Sequence, residues 1–150
     1  MRLPTRVRYA VRAIVELAER QATGPVSVRA LAEAQGISSK YGKQLLNRLQ
    51  KAGIVKGYPG LRGGYVLARK PEAISVFDVC RAMDGGIDLV PCVKGATDCG
   101  RRRRCSVRSF WKGLGDSLEH QLRSATIDQL AGGGRPAGRA RRRPGEGTRS

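Results

Sequence analysis

Apolar residues recur at spacings of three and four from Thr5 to about Gln21. Val7, Ala10, Val11, Ile14, Leu17 and Ala18 fall on one stripe, which predicts an amphipathic helix. Thr23-Gly24-Pro25 stops it, because Gly and Pro extend a helix poorly. Ser27 is placed to cap a second helix that turns Val28, Leu31 and Ala32 inward. Gln35-Gly36-Ile37 predicts a tight turn. Ser38 or Ser39 then caps a third helix, running to about Lys51 with Tyr41, Leu45, Leu46 and Leu49 on its apolar side. Ala52-Gly53 closes it as a left-handed C-terminal glycine does. Next come a strand at Ile54-Val55-Lys56, a turn from Tyr58 to Gly64 and a returning strand at Tyr65-Val66-Leu67.

Two short helices joined by a glycine-containing turn match a helix-turn-helix; an ordinary helical hairpin is the alternative. The β-hairpin that follows favours a winged helix-turn-helix, with the hairpin as its wing. Further on, Ser75 with Asp78 makes a capping-box start. Val76, Val79, Cys80 and Met83 form an apolar face, so Cys80 reads as a core cysteine. From Ser106 to about Ala125, Val107, Phe110, Trp111, Leu114, Leu118 and Leu122 follow helical spacing. A long amphipathic helix outside a small domain needs a partner. A two-fold homodimer would bury it and suit a palindromic DNA site; packing on the first helix is the alternative. The fold class is therefore mainly α: a winged helix-turn-helix with a β-hairpin wing and a long C-terminal dimerisation helix. Residues 1–70 form the DNA-binding domain, and residues 71–131 the cysteine loop and dimerisation helix. Residues 132–150, rich in Gly, Pro and Arg, read as a disordered basic tail.

Charge sharpens this picture. The 150 residues carry 29 Lys and Arg against 12 Asp and Glu, a formal charge of +17. The tail holds only part of the excess, so the balance fits a polyanionic partner such as DNA, RNA or an anionic membrane surface, and the helix-turn-helix with its wing makes double-stranded DNA the expected one. No apolar run is long enough to span a membrane, and the N-terminus lacks the apolar core of a signal peptide, so the cytoplasm is the expected compartment. On the third helix, Ser38, Ser39, Lys40, Tyr41, Lys43, Gln44 and Arg48 are candidate DNA contacts. Lys43 suits guanine and Gln44 adenine, while Arg48 suits a phosphate. Gly42, in mid-helix, either admits close contact with DNA or is simply tolerated. Arg62 beside Gly63 places a cation on the wing tip, where the backbone can approach a minor groove or phosphate.

The segment PCVKGATDCGRRRRC brings Cys92, Cys99 and Cys105 into one loop with almost no apolar residues. An iron–sulfur cluster, a zinc ion or a disulfide with one free thiol would each tie it together. The zinc reading lacks the usual close cysteine spacing and a nearby histidine. A cluster uses thiolates and accepts a different fourth ligand. Arg101 to Arg104 would favour thiolates, or else form a second phosphate-binding patch. Spacing leaves a cluster and a thiol redox switch open, and an accessory cluster-handling protein is a further alternative. With one histidine and no Gly-rich phosphate loop before a helix, there is no catalytic constellation, so the chain is not expected to be an enzyme.

The opening MRLPTRVRYAVRAIVELA, the stretch VSVRALAEAQGISSKYGKQLLNRLQKAGIVKGYPGLRGGYVLAR, the cysteine trio and the closing SATIDQLA resemble the Rrf-type transcription regulators. That bacterial family includes IscR, NsrR and RirA, and the likeness covers residues 1 to about 131. It implies a homodimeric winged-helix regulator whose Cys92, Cys99 and Cys105 hold an iron–sulfur cluster, [2Fe-2S] in preference to [4Fe-4S]. It also implies that the long helix crosses to the other subunit. The chain departs from the pattern in three places. The first cysteine gap is six residues where IscR-like members usually have five. Arg108 stands where IscR-like members place a ligand histidine. Arg6, Val7 and Arg8 stand where NsrR-like members use an aspartate. The fourth ligand is unassigned; Asp98, His120 and a group from the partner subunit are the candidates. Lys43 replaces an acidic residue of IscR-like recognition helices, which implies a different operator preference.

Overall fold

The computed structural model describes residues 2–93, 95 and 99–133. Helix α1 spans Thr5–Arg20 and runs into a short 3-10 turn at Gln21–Thr23. Its stripe is buried as the periodicity requires except at Val11, which is half-buried, and Ile14 and Leu17 are almost fully enclosed. Helix α2 spans Val28–Gln35. The hydroxyl of Ser27 accepts the Ala30 amide at 3.1 Å and so satisfies one of the unpaired N–H groups at the helix start. Gly36, at φ +67°, closes α2 in the left-handed conformation and turns the chain into α3. Helix α3 spans Ser39–Lys51, and its cap is Ser38, whose hydroxyl accepts the Tyr41 amide at 3.1 Å.

The hairpin comprises β1, Val55–Tyr58, and β2, Gly64–Leu67, paired antiparallel from Val55 opposite Leu67 to Tyr58 opposite Gly64. Ile54 lies just outside β1, and Tyr58 and Gly64 belong to strands rather than to the turn. An isolated bridge joins Val26 to Tyr65 through hydrogen bonds of 3.0 and 2.8 Å, a contact that no local pattern predicts. It ties β2 to the loop before α2 and so seats the wing on the body. This contact explains Gly64: a β-carbon there would lie 2.4 Å from the Val26 carbonyl oxygen.

Helix α4 spans Val76–Asp84 and starts with the predicted capping box. Ser75 accepts the Asp78 amide at 3.1 Å, while Asp78 accepts the Ser75 amide at 3.0 Å. Helix α5 spans Arg108–Ser124, and α6 spans Ile127–Gly133. The periodicity alone predicts one long helix to Ala125 and does not separate α6. The chain breaks there because Thr126 forms a bridge with Ser75. Val76 donates to the Ala125 carbonyl and Ile127 donates to that of Ile74, both at 2.9 Å. Helix α6 then packs on α1 with Ile127 fully buried. The core consequently does not stop at residue 70: Ile74, Val79, Cys80, Met83 and Ile127 share one cluster with Val7, Leu46 and Leu49. No helix among the described residues is long and apolar enough to cross a membrane.

Candidate nucleic-acid interface and cysteine loop

The start of α3 faces solvent. Ser39 and Lys40 are exposed, and Gln44, Asn47 and Arg48 continue the exposed side along the helix. Leu45, Leu46 and Leu49 hold the opposite side in the core. The side chains of Ser39, Lys40, Gln44 and Asn47 make no hydrogen bond or ion pair among the described residues. Ser38 is different, because its hydroxyl is engaged as the cap. Tyr41 is half-buried and meets Tyr9 of α1 edge-on, with ring centroids 6.2 Å apart.

Three expected contacts take a more specific form in the structure. The Lys43 ammonium donates to the Tyr65 hydroxyl at 2.9 Å, so a bond to guanine would have to break that one. Arg48 donates to the Met83 carbonyl at 2.8 Å, satisfying one of the last carbonyls of α4. Gly42 does not face outward to DNA. It is buried at the α2–α3 crossing, where a β-carbon would stand 3.4 Å from that of Ala32 and 3.8 Å from Val28 Cγ1.

On the wing, Leu61 and Arg62 are exposed at the tip. Gly63 donates to the Gly60 carbonyl at 3.0 Å, closing the turn. A β-carbon on Gly63 would fall 2.1 Å from the Tyr58 carbonyl oxygen. Gly63 therefore shapes the tip that carries Arg62.

The cysteine loop leaves α4 through Gly85, at φ +76°, and re-enters helix at Arg108. None of the four cysteines is in a disulfide. Cys80 is buried, Cys92 and Cys105 are half-buried and Cys99 is exposed. Burial, with the Asp84 carboxylate second, pushes the Cys80 thiol above its ordinary range. Among the described residues no group of three or more Cys, His, Asp or Glu side chains is gathered to hold a metal ion. The described part of the loop is folded by local turns such as Arg102 to Cys99 and Arg104 to Arg101, both at 2.9 Å. Arg101 to Arg104 are all exposed. The donor set suits a thiolate-held, negatively charged group: three free thiols on one loop, and a buried Arg108 Nε with no partner among the described residues. Arg108 itself cannot ligate. His120 lies twelve residues beyond it along α5, about 18 Å at 1.5 Å per residue. Asp98 lies outside the described residues, as do residues 134–150 of the expected tail.

Residues 3–133 match the family model described as Rrf2, iron-dependent transcriptional regulator. The chain belongs to the Rrf2 family. It is 37% identical over 130 residues to the HTH-type transcriptional regulator IscR of Enterobacter sp. (strain 638), covering 87% of this chain and 79% of that protein. The structure of T. potens IscR superposes with a TM-score of 0.73 at 33% identity, covering 90% of this chain and 89% of that one. CymR, the global cysteine regulator of B. subtilis, superposes with a TM-score of 0.71 at 29% identity, covering 88% and 97%. This Rrf2 member is a DNA-binding transcriptional regulator with a winged-helix fold, not an enzyme.

Proposed function

We propose that this Rrf2 protein binds a palindromic operator as a homodimer and that an iron–sulfur cluster on Cys92, Cys99 and Cys105 controls the binding. The observation that carries the DNA reading is the outward side of α3, where Ser39, Lys40 and Gln44 are exposed and uncommitted beside a capped helix start. That end enters the major groove, where Gln44 suits adenine. Ser38 and Tyr41 position it, and Arg62 at the wing tip takes a minor groove or phosphate. This reading places the protein in the cytoplasm with its DNA.

Dimerisation is supported by α5, which buries none of its residues in its own subunit. Phe110 is 61% exposed and Val107 54%. A cavity of about 450 Å³, lined partly by Leu3, Val7, Leu89, Leu118 and Leu122, opens between α5, α4 and the start of α1. A second copy can cover both features about a two-fold axis.

When bound, a cluster would supply a centre whose charge and presence depend on iron and redox state. Cys92, Cys99 and Cys105 would hold it, in the [2Fe-2S] form by preference. The arginines beside them favour negative charge there. Anaerobic purification tests this. A coloured protein containing iron and sulfide is expected, with different duplex affinity before and after cluster removal. A colourless protein without iron or sulfide after anaerobic reconstitution would sink the cluster reading. The exposure of Cys99 favours a second reading, a thiol switch without a cluster. Its mark is a reversible disulfide that alters DNA binding in iron-free protein.

A further inference from the structure

We propose that the cleft between the start of α1 and the outward side of α3 is a seat for a DNA backbone phosphate, gripped by Arg6 and Arg48. The proposal rests on the DNA-binding reading of α3 and extends it to a second element of the fold. The cleft has a volume of about 310 Å³, and its walls include Thr5, Arg6, Tyr41, Gln44 and Arg48. Among the described residues its lining includes two arginines from helices far apart in sequence and no acidic residue, Asp84 meeting Arg6 from outside that lining. Gln44, the side chain suited to a base edge, forms part of the same wall, so the seat adjoins the reading position.

Both arginines are held by the last turn of α4. Arg6 is ion-paired with Asp84, and Arg48 donates one N–H to the Met83 carbonyl at 2.8 Å. A guanidinium carries five N–H donors in a fixed fork. Arg48 is anchored by one N–H, while Arg6 meets Asp84 through Nε and Nη2, so each plane is oriented and each keeps further donors for a second acceptor. Arginine presented this way suits the tetrahedral oxygens of a phosphate better than a lysine point charge. The Asp84 carboxylate offsets the charge of Arg6 but is itself only 13% exposed, while the Arg6 side chain is 49% exposed. The open side of the pair is therefore cationic. Tyr9 and Arg12 continue this edge of α1, with the Arg12 guanidinium 5.5 Å from the Tyr9 ring centroid and Tyr9 packed on Tyr41. Such a seat fixes the register of α3 on the duplex without reading sequence.

The test measures binding of the full chain to a labelled mixed-sequence duplex across a salt series. Removing one cation–phosphate pairing lowers the slope of log K against log salt by about 0.9. The double variant Arg6→Gln, Arg48→Gln should lower the slope by about that amount per bound subunit, while Arg48→Lys should keep more of it. A folded double variant with the wild-type slope overturns the seat. If the double variant does not fold, Arg6→Glu is measured instead: its half-exposed side chain can be replaced with the Arg48–Met83 bond intact, a carboxylate beside a bound phosphate should weaken duplex binding at low salt, and a folded variant with wild-type affinity overturns the proposal. A wild-type chain with no salt-dependent duplex binding defeats the reading of α3 itself. That outcome is distinct from wild-type binding with an unmoved slope in the variants, which defeats the seat alone.

Discussion

The Lys43 ammonium on α3 donates a 2.9 Å hydrogen bond to the Tyr65 hydroxyl on β2 and lies 5.3 Å from the centroid of the same ring. One side chain of α3 thus fastens the wing, which the Val26–Tyr65 bridge also holds. Tyr65→Phe removes the acceptor and keeps the buried ring. The freed ammonium can return to water, so the stability loss should be at most about 1 kcal/mol in a urea titration. The variant should also release Lys43 toward DNA and change which duplex sequences it prefers in a selection experiment. Unchanged preference would mean that Lys43 contributes nothing to discrimination.

Gly42 and Gly63 should respond in opposite ways to alanine. At Gly42 the new β-carbon meets Ala32 at ordinary contact distance, and no left-handed backbone is involved. Gly42→Ala should therefore stabilise the chain by about 0.5–1 kcal/mol through helix propensity. At Gly63 the β-carbon would overlap the Tyr58 carbonyl, which belongs to the backbone and cannot swing aside. Gly63→Ala should lower the melting temperature and distort the tip that carries Arg62. A Gly63→Ala protein with wild-type melting and duplex affinity would show that the tip is not held as described.

These contrasts mark where the sequence was legible. Periodicity and capping residues located α1 to α4 because each signal is local: Ser27, Ser38 and the Ser75–Asp78 pair bond amides three residues away. The Val26–Tyr65 bridge, the Lys43–Tyr65 bond and the α4 anchors of Arg6 and Arg48 are non-local, and no spacing rule encodes them. The break before α6 did leave a local signal, since Gln129 Oε1 accepts the Thr126 amide at 3.3 Å in a Thr-x-x-Gln pattern. It is a single contact, and the apolar periodicity, which ends at about Ala125, does not mark a second helix beyond it. The cysteine loop offers no shape to a reader of the sequence, because a segment with few apolar residues has no packing to dictate how its thiols meet.

The α4 capping box should make stability pH-dependent in acid. Burial acts to raise the Asp78 carboxyl. Hydrogen bonds from the Ser75 amide and hydroxyl, with Arg69 and Arg81 nearby, outweigh it and hold the group below its ordinary value. A carboxyl lowered in the folded state stabilises above the unfolded value and loses that contribution as the pH falls through the folded one. Asp78→Ala should therefore cost about 1 kcal/mol near neutrality. The gap from wild type should narrow below about pH 4. A gap that stays constant down to about pH 2 would rule out the ionised cap.

The four cysteines should divide three to one in a thiol assay of the native, metal-free chain. Cys92, Cys99 and Cys105 are all at least partly accessible, whereas Cys80 is buried and that burial pushes its thiol above the ordinary range. Three thiols should react quickly with a disulfide reagent and the fourth only on unfolding, even at about pH 9, because thiolate is the reactive form. Cys80→Ala should leave the visible absorbance of anaerobically prepared protein intact, while alanine at any of the other three should diminish it. Four thiols reacting at one rate would contradict the burial of Cys80.

Phe110 offers the sharpest test of assembly. It is 61% exposed and stacks edge-on with Trp111 at 5.1 Å, so a single subunit loses little core when it is replaced. If α5 faces a second copy, Phe110→Glu would place a carboxylate in an apolar contact at both symmetry-related positions, a cost that isolated subunits do not bear. The variant should melt as the folded monomer does, sediment as a monomer where the wild type is a dimer, and lose the gain from engaging two half-sites at once. That gain is of order 10²–10⁴ in apparent affinity for linked sites. A Phe110→Glu chain that remains dimeric would move the interface away from the start of α5, whereas one that unfolds would show that Phe110 supports its own subunit after all.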